Sequence, residues 1–244
     1  MAETSAPGDT LQDLVGFKHP LPHLAKSLKE QRNTKIVAFG SSSTAGTRLV
    51  VPYPAWLELM LRDEFGIQMI DELDKRMINV INRGVGGEEA PTELRRMKSD
   101  VIDEAPALVI WQVGTNAVFH SEDPRFAFEK VVNAIAEGLD RLAKIPADVI
   151  LMDSQYTTAV VEKPEKKQLS DAMVKRISEL AEGAGVDVFR RYALMEYWQK
   201  TIAMRELIDP ADTDALHLSD WATRNVTEVL FNQIKKAINA AGFT

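Results

Sequence analysis

Two kinds of hydrophobic pattern alternate along this chain. Lys35–Phe39, Met77–Ile81, Ala107–Val113, Asp148–Met152 and Val186–Phe189 are short runs with apolar residues at successive positions. Runs of that kind read as strands buried on both faces. Between them, apolar residues recur every three or four positions and predict helices over Pro54–Phe65, Pro91–Glu104, Arg125–Lys144, Pro164–Glu182 and Tyr192–Met204. A last helix is expected over Asp220–Ala241, with Val226, Val229, Leu230, Ile234 and Ile238 as its buried stripe. Ser219 suits its N-cap, and Asp220 suits the positive end of its dipole. Residues 1–34 read as a polar tail followed by a short helix around Leu21–Glu30.

Wholly apolar strands alternating with helices imply a parallel sheet covered on both sides. The expected fold is therefore a three-layer α/β/α sandwich, one domain over residues 35–244 behind the tail. In such folds ligands bind beyond the carboxyl ends of the strands. That rule gives every candidate motif a place to be: just after a strand, or in a loop that returns to the same edge.

Composition narrows the chemistry. The 244 residues include no cysteine, which excludes disulfides, zinc thiolate sites and a cysteine nucleophile. The formal net charge of -7 disfavours a nucleic-acid partner. No apolar run is long enough for a membrane span. The polar N-terminus has no apolar signal region, which suits a cytoplasmic protein, or an exported one whose signal has been removed. Oligomeric state is not legible.

Four segments fall at the expected edge. Gly40–Gly46 (GSSSTAG) follows the first strand and brackets a run of hydroxyls with glycines. It lacks the lysine of a phosphate-binding loop and the spacing of a dinucleotide loop. Asn82–Glu89 (NRGVGGEE) follows the second strand and carries three glycines suited to close backbone approach. Glu88 and Glu89 beside them suit either a solvated turn or contact with substrate hydroxyls. Val113–Ala117 (VGTNA) follows the third strand, and its amide can donate to a developing oxyanion. Asp212–Asp220 (DTDALHLSD) precedes the last helix. There Asp214 lies three residues before His217 and can orient its imidazole, with Asp212 as a rival for that role. Nucleophile, base, orienting acid and oxyanion donors are together the parts list of acyl transfer.

These four segments resemble the ordered sequence blocks of the SGNH/GDSL hydrolase superfamily, over Lys35 to about Asp220. The first block of that family reads Gly-Asp-Ser, and Gly40-Ser41-Ser42 matches it with Ser41 in the aspartate's place. The resemblance implies Ser42 as nucleophile, Gly87 and Asn116 as oxyanion donors with the Ser42 N–H, and Asp214 with His217 as the proton-handling pair. Ala117 stands where an aspartate often follows the asparagine. A flavodoxin-like, five-stranded parallel sheet is implied as well. The implied activity is hydrolysis of carboxylic esters through an acyl-enzyme, with short acyl groups such as a carbohydrate O-acetyl as the expected range. No metal or organic cofactor is called for. Tyr53, Phe119, Gln155, Tyr156 and Leu218 lie near motifs or strand ends and are candidates for the substrate wall. An O-acyltransferase could use the same residues, and a non-catalytic relative could bind acylated glycans without needing a base.

Overall fold

The structure, a computed structural model, describes residues 11–31, 33–66 and 77–243. Five strands form one sheet: β1 (Asn33–Gly40), β2 (Met77–Gly84), β3 (Leu108–Gln112), β4 (Asp148–Met152) and β5 (Asp187–Phe189). All neighbours pair in parallel, in the order β2-β1-β3-β4-β5. The carboxyl ends of all five strands therefore lie along one edge, and the order reverses between β1 and β3. A crevice at that reversal is where such sheets bind ligands.

Helices cover both faces, as the strands' apolar composition requires. Pro22–Glu30, Tyr53–Phe65 and Asp220–Ala240 pack on one side, over Ile36, Ala38, Ile110 and Ile150. Ala90–Asp100, Phe128–Leu142 and Pro164–Ala184 pack on the other, over Val37, Phe39, Val109 and Trp111. Alternate residues of one strand thus serve opposite cores, the period-2 geometry of a strand. Trp111 is fully buried in the second core. Its ring requires a glycine opposite, because a Cβ on Gly138 would come within 2.2 Å of it.

The predicted elements differ from the observed ones mainly at their ends. Pro91–Glu104 is a helix only to Asp100, followed by a 3₁₀ turn at Ile102–Glu104. Tyr192–Met204 divides into Arg191–Trp198 and Met204–Leu207. Of the expected polar tail, residues 1–10 lie outside the described residues, but Leu11–Val15 forms a helical turn that buries Val15. Short helical turns at Ser42–Ala45, Thr115–Phe119 and Thr158–Val161 sit at the sheet edge, where no periodicity announced them.

Candidate active site

The nucleophile turn forms because β1 ends in Gly40, at φ +152°. A Cβ there would meet Thr44 Oγ1 at 2.6 Å and Gln112 Cβ at 2.9 Å, so the chain can turn this tightly only without one. Ser42 then opens the turn Ser42–Ala45. Ser41, in the place of the usual aspartate, is buried and donates both its N–H (3.0 Å) and its hydroxyl (2.8 Å) to Gln112 Oε1. The turn is thereby tied to the end of β3. Gly84, at the end of β2, admits the same turn: a Cβ there would lie 2.1 Å from the Ala45 nitrogen.

Ser42 Oγ lies 2.9 Å from His217 Nε2. The other ring nitrogen, Nδ1, lies 2.9 Å from a carboxylate oxygen of Asp212. Asp214, expected in that position, is exposed and contributes its backbone N–H to Asp212 (3.2 Å). The reason is local geometry. Ala215 adopts φ +51°, and the tight turn from Asp212 to Ala215 directs the Asp214 side chain outward. It also brings the Leu216 and His217 N–H groups back onto the Asp212 carboxylate, at 2.9 and 2.6 Å. Partial burial works to raise the Asp212 carboxyl. The N–H donors of His217, Leu216 and Asp214, with the His217 ring, outweigh it and hold the group below its ordinary value. Asp212 therefore stays ionised against the imidazole.

The two expected oxyanion segments are joined to each other. Asn116 is buried, and its Nδ2 donates to the Glu88 carbonyl at 2.7 Å. Gly87, at φ +75°, lies in the turn that passes Ser42, with neighbouring Gly86 facing the Ser42 Cβ. Glu88 pairs with Arg96 at 2.6 Å; Arg96 in turn donates to the carbonyls of Arg83 and Gly40 and covers the Phe39 ring. Glu89 is fully buried and accepts N–H bonds from Ala90, Gly114, Asn116 and Ala117. Glu89 is thus a buried group rather than a solvated turn residue, and Glu88 is partly exposed and held by Arg96. Desolvation raises Glu89, against the pull of those four donors. Glu93, buried and donated to by the Trp111 indole at 2.7 Å, is raised well above the usual range by burial and by Glu89. The local backbone N–H groups converge on Glu89, not on Glu93.

A small cavity of about 30 Å³ opens beside Ser42 and His217. Val50, Pro52, Tyr53 and Leu218 line it, with Met152 at the end of β4 and Val226 and Leu230 from the last helix. Of the expected wall residues, Tyr53, Gln155 and Leu218 face this cavity. Phe119 instead packs edge-to-face against His120 (4.6 Å between centroids), and Tyr156 against Tyr192 (5.0 Å). Arg191 also lines the cavity, almost fully buried, donating to the Asp153 carbonyl at 2.9 Å. Burial pushes its guanidinium down to about 10, resisted by Asp153 and Tyr53. No sequence signal marked Arg191, Gln112 or Met152; each owes its place to the meeting of separate strand ends. Val226 and Leu230 were legible only as a helix stripe. Among the described residues no group of three or more His, Asp or Glu side chains is placed to hold a metal ion.

At the switch point of a sheet of this order, Ser42, His217 and Asp212 are joined by hydrogen bonds. Residues 7–240 match the model of the non-GDSL lipase-like family. The chain belongs to that family. No curated protein matches the sequence. Among solved structures, it is similar to Axe2, an acetylxylan esterase from Geobacillus stearothermophilus, at 20% identity and TM-score 0.65, covering 82% of this chain and 94% of that one. Variants of Axe2 described as catalytic mutants alter one serine, one histidine and one aspartate. LAE5, an alpha/beta hydrolase from the metagenome of Lake Arreo, Spain, matches at 18% identity and TM-score 0.63, over 85% of this chain and 96% of that one.

Proposed function

We propose that this protein hydrolyses carboxylic esters of short acyl groups through an acyl-enzyme on Ser42. The observation that carries the reading is the continuous line Ser42 Oγ, His217 Nε2, His217 Nδ1, Asp212 Oδ2, with 2.9 Å at each hydrogen-bonded step. In this reading His217 takes the Ser42 proton as the hydroxyl attacks the carbonyl. Asp212 holds the tautomer with Nδ1–H and stabilises the imidazolium. The Ser42 and Gly87 N–H groups and the Asn116 amide receive the oxyanion, and the loss of one such donor typically costs about 2.7–4 kcal/mol in the barrier. The imidazolium returns its proton to the leaving alcohol. Water, deprotonated by His217, then releases the acid and restores Ser42. The modest cavity beside Ser42 supports a short acyl group. Likeness to an acetylxylan esterase supports an O-acetylated carbohydrate as substrate.

The test is a panel of aryl esters of increasing acyl length, with wild type and Ser42→Ala compared. Hydrolysis should be fastest for acetyl and fall with longer chains, and the variant should be folded and inactive. Undiminished hydrolysis by Ser42→Ala would overturn the assignment. Product analysis with a sugar acceptor in the same assay separates hydrolysis from acyl transfer.

A further inference from the structure

Two loops must meet for Ser42 and His217 to share a hydrogen bond, and they lie 175 residues apart in the chain. Among the described residues no backbone–backbone hydrogen bond joins one loop to the other. At the margins the Thr47 hydroxyl donates to Asp209 at 3.5 Å and the Val51 N–H to Asp220 at 3.0 Å; beside Ser42 and His217 themselves, one side chain from a third loop bonds to both loops. Gln155, in the loop after β4, is 1% exposed. Its Oε1 accepts the Ser43 hydroxyl at 3.0 Å, and its Nε2 donates to the Leu216 carbonyl. Ser43 directly follows the nucleophile, and Leu216 directly precedes the base. A primary amide is the one side chain here that can accept from a hydroxyl on one oxygen while donating from a nitrogen to a carbonyl.

We propose that Gln155 is a positioning residue that sets the separation of Ser42 and His217 by clamping their neighbours, rather than a wall residue selecting substrate. This rests on the reading of Ser42 and His217 as nucleophile and base. Asp212 fixes the His217 loop internally, through the Leu216 and His217 N–H groups. Gln155 supplies the link that Asp212 cannot, from that loop to the serine turn. A shift of about 1 Å between reacting groups can cost about a hundredfold in rate, so a clamp here acts on kcat rather than on KM.

The experiment compares Gln155→Met, Gln155→Glu and Ser43→Ala with wild type and Ser42→Ala, using an aryl acetate. Gln155→Met has similar length but neither bond. It should lower kcat by about a hundredfold with KM little changed, and the deficit should be the same at every pH. Ser43→Ala removes one ordinary hydrogen bond and should cost about fivefold. Gln155→Glu carries the sharper signature. Ionised, it opposes the Leu216 carbonyl; protonated, it donates to it. Its deficit relative to wild type should therefore shrink as pH falls, whereas that of Gln155→Met does not. The other titratable groups near position 155, His217, Asp212, Arg191, Tyr53 and Asp153, are common to both variants, so the contrast isolates position 155. Wild-type kcat in Gln155→Met, or identical pH profiles for the two variants, would overturn the clamp. If Gln155→Met does not fold, the Gln155→Glu profile against wild type decides: a deficit independent of pH overturns it. Activity retained in Ser42→Ala would instead remove the reading of the site itself.

Discussion

At the scale of single residues, the carboxylate partner of His217 shows how far spacing can mislead. Asp214 and His217 stand three apart, the separation that the family resemblance favours, yet Asp212, five residues away, reaches Nδ1. Ala215 in the left-handed region decides this, and alanine gives no warning of a positive φ. Asp212→Asn should lower kcat by about 10³–10⁴-fold, because the amide favours the wrong imidazole tautomer. Asp214→Asn should leave kcat within about twofold of wild type, as expected for an exposed group whose side chain touches neither reacting residue. Steady-state kinetics on the two variants checks both, and a larger loss in Asp214→Asn would reverse the assignment. Two departures from the family pattern also find an explanation in individual side chains. Ser41, where aspartate is usual, holds the turn through Gln112, and the N–H of Ala117 is taken up by Glu89.

At the scale of elements, most of the architecture was legible. The apolar runs marked all five strands, because a parallel strand buried on both faces must be apolar at every position. The stripe of the last helix was equally plain. What stayed hidden were the turns Ser42–Ala45, Thr115–Phe119 and Thr158–Val161, each four or five residues long and too short to show a helical period. The first two of these turns carry Ser42 and Asn116, so the residue types of the site could be read but not all of its contacts. Tyr156 and Phe119 lie near motifs in sequence yet pack on other rings, since neighbours along a turn point in different directions. The helix Phe128–Leu142 offers an element-scale test. A glycine inside a helix usually gains roughly 1 kcal/mol on replacement by alanine. At Gly138 the new Cβ would overlap the Trp111 ring, with a contact of 2.2 Å. Overpacking, at about 1–3 kcal/mol, should win. Gly138→Ala is thus expected to lower the denaturation midpoint, and an unchanged or raised midpoint would contradict the packing described.

At the scale of the whole molecule, the sheet edge concentrates buried ionisable groups: Glu89 and Glu93 near the end of β3, Asp153 and Arg191 near the end of β4. Their cost is paid in pH dependence. Burial raises the Asp153 carboxyl to about 7, against the Tyr192 N–H and Arg191. The unfolded chain releases that proton near pH 4, so folding retains a proton that the unfolded state has lost. The associated stability is present below about pH 4 and is lost as pH rises through about 7. Asp212, lowered rather than raised, acts in the opposite sense: its stability is present above the ordinary carboxylate range and is lost as pH falls through its depressed value. The loss with rising pH is shared by Asp153 and the other raised carboxyls, Glu89 and Glu93. Asp153→Asn preserves the acceptor for Tyr192 (2.9 Å) and removes the titration. Thermal melts of the variant should decline less from pH 5 to pH 8 than those of wild type, and parallel curves would refute the assignment.

The arrangement as a whole says that one edge of a parallel sheet delivers Ser42 to His217 and both to a small cavity. The most direct measurement is mass spectrometry of the acyl-enzyme, trapped by acid quench during turnover of an aryl acetate. A single acetyl group on the peptide containing Ser42, absent in Ser42→Ala and lost on chase with water, is the predicted result. Turnover with no acetyl group on that peptide, or with the group on another residue, would contradict it.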